Sequence, residues 1–286
     1  MADRRSWIWK PYCATRRPLL IGCGLGHELS DLLTISAMKS AVPAVSRTTN
    51  LLLAARLTGK SQPASTLPSL ASAYAVQAAV GEALGWFKDG PPRYWKTGGA
   101  SRDAVLTHAP LPSSGIHVSP ADLRREPFHF RGIEAEIALR IGEPIDAARA
   151  AMDRSPLVDA MCVAIEVVDS RWSAGMKAAP RIKLADLQSH GALVLGEWIP
   201  YAVRDWAVQC GRVEIGSRVQ AFHGTHALGD PAWGLTTWVR HAVSQGYLIP
   251  AGTVVTTGTW CGLLMAEPGD SVRVLFDGIG EVSVRF

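Results

Sequence analysis

Two carboxylates set two residues apart in an apolar run constrain this chain more than any other feature. The stretch Gly132-Ile133-Glu134-Ala135-Glu136-Ile137-Ala138-Leu139 otherwise reads as a buried strand. On a strand, side chains at i and i+2 point to the same face. Glu134 and Glu136 therefore aim at one place. Further along, Glu166 stands among Val163, Ala164, Ile165, Val167 and Val168. Carboxylates are rarely buried unless they are paired or bound to metal. Three of them in apolar runs point to an oxygen-ligand site for a hard cation, with Mg2+ or Mn2+ the best fit. The alternative is a wet edge-strand face for Glu134 and Glu136, with Glu166 paired to an arginine.

Composition narrows the surroundings of this site. Of 286 residues, 48% are hydrophobic, ample for a real core. The net charge of +4 sits mostly in residues 1–45, where Arg4, Arg5, Lys10, Arg16, Arg17 and Lys39 outnumber Asp3, Glu28 and Asp31. That placement is not the footprint of a nucleic-acid-binding face. Five scattered cysteines without a CxxC pair argue against a disulfide framework or structural zinc, and fit a reducing cytosol. Cys162 reads as a small core residue. No apolar run reaches the length of a membrane span.

Residues 1–48 read as a loosely ordered extension without chemistry, and residues 49–286 as one catalytic domain. The Gly22-Cys23-Gly24-Leu25-Gly26 run has the wrong spacing for a dinucleotide loop, and no strand–helix–strand unit follows it. A targeting peptide, or a true start at Met38, would equally account for the extension. Residues 49–92 read as helical, with a second helix from Ser69 to Trp86 ended by Asp89-Gly90-Pro91-Pro92. In Tyr94-Trp95-Lys96-Thr97-Gly98, Lys96 is flanked by aromatics and glycines. Desolvation there would lower its pKa and make it useful, whereas a surface lysine would snorkel past Trp95. Residues 101–130, with His108, His117 and His129, read as a loop able to act as a lid. From 131 onwards short strands dominate, interrupted by helical pieces at 144–152 and 231–245. The expected class is α+β, a β-roll or barrel-like sheet with peripheral helices.

The order of these pieces, from about residue 50 to 286, resembles the 2-keto-4-pentenoate hydratase branch of the fumarylacetoacetate hydrolase superfamily. The segments carrying the resemblance include Ala73–Gln77, Tyr94–Gly98, Ile133–Ala138, Ala164–Arg171, Ala185–Gly196, Leu228–Pro231, Ala251–Thr259 and Pro268–Asp270. The resemblance implies a mixed β-roll and a divalent cation on Glu134, Glu136 and Glu166. It implies an active-site role for Lys96, pocket roles for Asp186 and Ser189, and contact of Gly258 and Thr259 with a 2-oxo acid. The implied reaction is hydration of a 2-hydroxypenta-2,4-dienoate-like substrate. An acylpyruvate-type hydrolase, a 4-oxalocrotonate-type decarboxylase and a catalytically silent partner subunit are the alternatives.

Some positions depart from the family pattern. Trp95 precedes the lysine where a tyrosine is usual, Leu187 and Gln188 replace an Asn-Ala pair, and Ser114 stands where an acid often precedes the loop glycine. The last change bears on any water-addition step. The resemblance and the ten tryptophans also imply a homo-oligomer, and a complex with a related decarboxylase is a further implication. Sedimentation at micromolar concentration is expected to give a multiple of the 30.7 kDa chain mass. The single-chain mass would refute it.

Overall fold

The computed structural model describes residues 27–152 and 154–286. By internal contacts the chain divides into Met1–Lys39 and Ser40–Phe286. The second unit carries every strand among the described residues. The glycine run Gly22–Gly26 lies outside the described residues. Helix α1 spans His27–Thr58, so helical structure begins well before residue 49, and the larger unit begins at Ser40 instead of residue 49. Helix α2 (Leu70–Ala83) starts where Ser69 accepts a hydrogen bond from the Ser72 amide at 3.1 Å, a side-chain N-cap. It ends at Leu84, followed by Gly85 in the left-handed region that glycine adopts without a Cβ clash.

Strands β1 (Tyr94–Gly98), β2 (Thr107–Leu111), β3 (Ile116–Val118) and β4 (Ala121–Asp122) lead to the long β5 (Gly132–Ile141). After helix α3 (Ala147–Ala151) the chain returns as β6 (Val158–Val168). Helix α4 (Pro180–Ala185) precedes β7 (His190–Leu195) and β8 (Ile199–Pro200). The hairpin β9 (Cys210–Ile215) and β10 (Arg218–His223) leads to helix α5 (Leu235–Ser244). Strands β11 (Val254–Thr256), β12 (Leu264–Met265), β13 (Ser271–Phe276) and β14 (Gly280–Arg285) complete the chain.

Two mixed sheets result. One runs β2-β1-β11-β5-β6-β7-β3, with β12 on β5 and β8 on β6; the other runs β10-β9-β13-β14-β4. Strict alternation divides the first sheet's faces. Ile133, Ala135, Ile137, Leu139, Met161, Val163, Ile165 and Val167 pack in one core with Val213, Val272, Val274 and Val282 of the second sheet. The residues between them, Glu134, Glu136, Ala138, Cys162, Ala164 and Glu166, belong to the opposite face. Tyr94, Lys96, Val254 and Thr256 share it by the same parity, since Trp95 and Val255 enter the main core. Helices α1, α2 and α4 form a separate apolar cluster through Leu52, Val76, Val80, Ile182 and Leu184.

Several expectations change here. The stretch 101–130 is not a lid: β2 and β3 belong to the first sheet and β4 to the second. Its chain is sewn into both layers because His108, Ala109, Pro110 and Leu111 are buried. Among the described residues Trp95, Trp172, Trp238 and Trp260 are fully buried in this chain's own interior, Trp206 is buried, Trp86 and Trp198 are half-buried, and Trp233 is exposed. Their number is therefore no measure of apolar surface left over for a neighbour. Ile137 is wholly buried between the sheets. Ile137→Ala is expected to cost about 2–5 kcal/mol in denaturant unfolding. A loss below about 1 kcal/mol would contradict the packing described.

Candidate active site

Strand register assembles the three carboxylates. In the antiparallel pair of β5 and β6, Glu134 stands directly opposite Glu166, and Glu136 opposite Ala164. Direct cross-strand partners share a face, as do residues two apart on one strand. All three carboxylates therefore converge, and one oxygen from each lies within 4.8 Å of the others. Among the described residues this is the one cluster of three or more His, Cys, Asp or Glu placed to hold a metal ion. Glu136 and Glu166 are buried and Glu134 is half-buried at the edge of a cavity of about 360 Å3. The reading of Glu134 and Glu136 as a wet edge-strand face is overturned, because β5 is a central strand.

The buried carboxylates are each held through one oxygen, which leaves another for a ligand. Glu136 Oε2 accepts from the Thr256 hydroxyl and from the Gly258 amide at 2.9 Å. Gly258 occupies a positive φ of 107° that turns its amide onto the carboxylate. Glu166 Oε1 takes the Lys96 ammonium and His190 Nδ1, the latter at 3.2 Å. Glu166 Oε2 is buried with no partner among the described residues. A buried, unpartnered carboxylate oxygen is costly by several kcal/mol. A divalent cation would satisfy it, so the donor set fits a hard cation.

The electrostatics follow from this crowding. Burial and the neighbouring carboxylates push Glu134 up to about 7 and Glu136 up to about 8. For Glu166 burial acts upward, but the adjoining Lys96 and His190 hold it below the usual carboxylate range. Burial alone would lower the Lys96 pKa; Glu166, Glu134 and Glu136 more than offset that and raise it. The expected depression of Lys96 is thus reversed, because it stands beside three carboxylates instead of in an apolar pocket.

Lys96 also donates to the Gln188 carbonyl at 3.3 Å. That carbonyl belongs to a run of three non-glycine residues at positive φ, Leu187, Gln188 and Ser189 at 51°, 56° and 62°. Such a run is strained and persists only when its ends are fixed. Asp186 fixes one end: it accepts from Arg171 Nε at 2.8 Å, the Arg171 amide at 3.0 Å and Arg56 Nη2 at 3.1 Å. Asp186 and Ser189 are fully buried and do not line the cavity. They stand behind its wall, because two arginines draw the Asp186 carboxylate inward. Gly258 and Thr259 do line it, as do Lys96, Glu134 and Glu136.

Sequence reasoning missed four further residues at the site. His190 braces Glu166, and the side chain of Gln188 reaches Thr107 Oγ1 at 2.5 Å. Lys183 and His226 line the cavity. His226 lies near Leu228-Gly229-Asp230-Pro231, and Lys183 three residues before Asp186, so proximity to quoted motifs was the available signal. His108, His117 and His129 do not line the cavity. His108 is bonded to Thr97 Oγ1 at 2.8 Å, and burial pushes it down to about 3. Cys162 is buried in the core with its thiol pushed up to about 12, which suits a packing role.

Residues 111–286 match the fumarylacetoacetate (FAA) hydrolase C-terminal family, and the chain belongs to it. Among curated proteins it is similar to 4-oxalocrotonate decarboxylases. It is 26% identical over 153 residues to one from Pseudomonas sp, covering 53% of this chain and 59% of that one. A second, from Pseudomonas putida, is 29% identical over 158 residues, covering 54% and 59%. The similarity thus spans about three-fifths of the length of these relatives. The fold is shared with a solved 4-oxalocrotonate decarboxylase from Pseudomonas putida G7, complexed with magnesium and adipate. The TM-score is 0.70 at 22% identity, over 87% of this chain and 98% of that one. No helix among the described residues is long and apolar enough to cross a membrane.

A pH titration of stability tests the carboxylate cluster. Folded Glu134 and Glu136 hold protons up to about pH 7 and 8, whereas unfolded glutamates release them near 4.5. These two groups therefore withdraw stability from the metal-free protein all the way from about pH 4.5 to about 8.5, and the test is read between about pH 7.5 and 8.5. Below that window the histidines with depressed pKa oppose the trend, being neutral when folded but protonated up to about pH 6.5 when unfolded; within it they are neutral in both states. Melting temperature should fall across this range without metal and recover with millimolar Mg2+. A flat profile that ignores Mg2+ would contradict the cluster's repulsion.

Proposed function

We propose that this chain is a divalent-metal-dependent decarboxylase acting on a 2-oxo dicarboxylic acid of the 4-oxalocrotonate type. One observation carries the reading. Glu134 and Glu136 of the carboxylate cluster line the cavity beside Lys96, which is paired with Glu166, so a site for an electron-withdrawing cation adjoins a proton source. The acid that bears on water addition in the resembled hydratases is replaced by Ser114, and its loop Ser113–Gly115 is outside the cavity walls. A hydrolase needs a histidine open to water. His226 Nε2 donates to the Thr257 carbonyl at 3.0 Å, and its Nδ1 is sealed from solvent. Similarity to two 4-oxalocrotonate decarboxylases supports the same choice, as does the magnesium held by a solved relative.

When bound by Glu134, Glu136 and Glu166, a divalent cation supplies Lewis acidity to the ketone and carboxylate oxygens of a 2-oxo acid. The bond that breaks is set by electron flow. Loss of the 2-oxo acid's own carboxylate would strand the electron pair on the carbonyl carbon. Loss of a second carboxylate, carried on a CH2 group at the far end of a C=C bond conjugated with the ketone, sends the pair through that C=C bond to the ketone oxygen. The substrate therefore carries two carboxylates, and the product is the dienol left after CO2 departs. Lys96 is the cavity's proton carrier: its ammonium gives the enolate oxygen its proton and is recharged from solvent. The Gly258 amide and Thr256 hydroxyl orient Glu136, and His190 orients Glu166.

The test is CO2 release and dienol absorbance from a panel of 2-oxohexenedioates, 2-hydroxydienoates and acylpyruvates with Mg2+ or Mn2+. The 2-oxohexenedioates should turn over and EDTA should stop the reaction. Water addition to 2-hydroxypenta-2,4-dienoate without CO2 release from any diacid would overturn the reading in favour of a hydratase. Lys96→Ala should lower kcat by about 10²-fold or more while KM changes little. A rise in KM alone would make Lys96 a binding residue.

A further inference from the structure

We propose that Lys183 selects substrates carrying a second carboxylate, by pairing with the end of the molecule remote from the carboxylate cluster. The inference rests on the decarboxylase reading and names the residue that recognises its diacid. Among the described residues, two cationic side chains line the cavity, Lys96 and Lys183. The charge of Lys96 is already committed to Glu166 and the Gln188 carbonyl. His226 is kept neutral by burial. Lys183 makes no ion pair among the described residues; its ammonium has a long contact of 3.4 Å to the Met176 carbonyl. It is half-buried, so its charge is only partly screened by water.

Placement separates the two lysines. Lys96 rises from β1, on the sheet face that holds the carboxylates. Lys183 descends from helix α4, in a wall shared with Leu70, Met176, Pro180 and Leu184. Apart from Lys183 this wall is apolar, so an anionic group reaching it finds one partner. The neighbouring basic residue does not compete: Arg181, exposed, donates to the carbonyls of Leu67 and Pro68 at 3.3 and 2.9 Å. Two residues apart on a helix, the side chains diverge, which is why Arg181 faces out and Lys183 faces in. Glu134, half-buried on the cavity wall, feels Lys183. The ammonium is thus within electrostatic reach of the cluster but free to hold a different carboxylate.

Calorimetry on Mg2+-loaded protein tests this with 2-oxoadipate and 2-oxohexanoate. Both carry the chelating 2-oxo acid, and neither has the C=C bond that decarboxylation requires, so both report binding alone. The unmodified protein should bind 2-oxoadipate about 10-fold or more tightly than 2-oxohexanoate, as one charge-assisted hydrogen bond implies. Lys183→Met should bring the ratio to about one without weakening 2-oxohexanoate, and Lys183→Arg should keep most of it. Lys183→Gln gives the same comparison if the methionine variant does not fold. Equal binding by the unmodified protein, or a preference that survives in Lys183→Met, would overturn the assignment. Selectivity that follows Lys183 in a protein that releases no CO2 would leave the assignment standing and overturn the decarboxylase reading alone.

Discussion

The structure turns on the direct pairing of Glu134 with Glu166 across β5 and β6, with Glu136 on the same face. Three anions brought together out of water repel one another and lose hydration. Everything around them reads as a response to that cost. Lys96 and His190 take one oxygen of Glu166, while the Gly258 amide and Thr256 hydroxyl take one of Glu136. The oxygens these donors do not reach, above all Glu166 Oε2, are the ligands a hard cation would use.

The rest of the fold supplies rigidity to that arrangement. β5 and β6 are central strands whose other face is packed against the second sheet, so a one-residue slip would drive the carboxylates into the main core. Behind the cavity wall, Arg56 and Arg171 grip Asp186 and so fix the left-handed turn that presents the Gln188 carbonyl to Lys96. Arg56 lies on α1, which ties the helical N-terminal part to the site without touching its cavity. Asp186 and Ser189 thus act on the site through the backbone they hold.

The strands and the cluster were legible because they depend on local periodicity. Alternation around Glu134 and Glu136 gives their shared face, and the apolar neighbours of Glu166 give its burial. The α+β class and the FAA hydrolase family follow from the same run of segments. What was not legible depends on distance in the chain. The direction of the Lys96 pKa shift is not legible in its local sequence, because Glu134, Glu136 and Glu166 set it from distant strands. The 101–130 stretch looked like a lid because its Pro and Ser content conceals short strands whose partners are β1, β7 and β14. Lys183 and Arg181 have no periodic signal, and only the direction of α4 separates their roles.

The central claim is that Glu134, Glu136 and Glu166 form one divalent-cation site. Calorimetric titration of Mn2+ into metal-stripped protein tests it most directly, with Glu166→Gln as the comparison. One equivalent should bind per chain, with protons released as Glu134 and Glu136 ionise, and Glu166→Gln should remove most of the affinity while remaining folded. No binding by the unmodified protein, or equal binding by Glu166→Gln, would contradict the account.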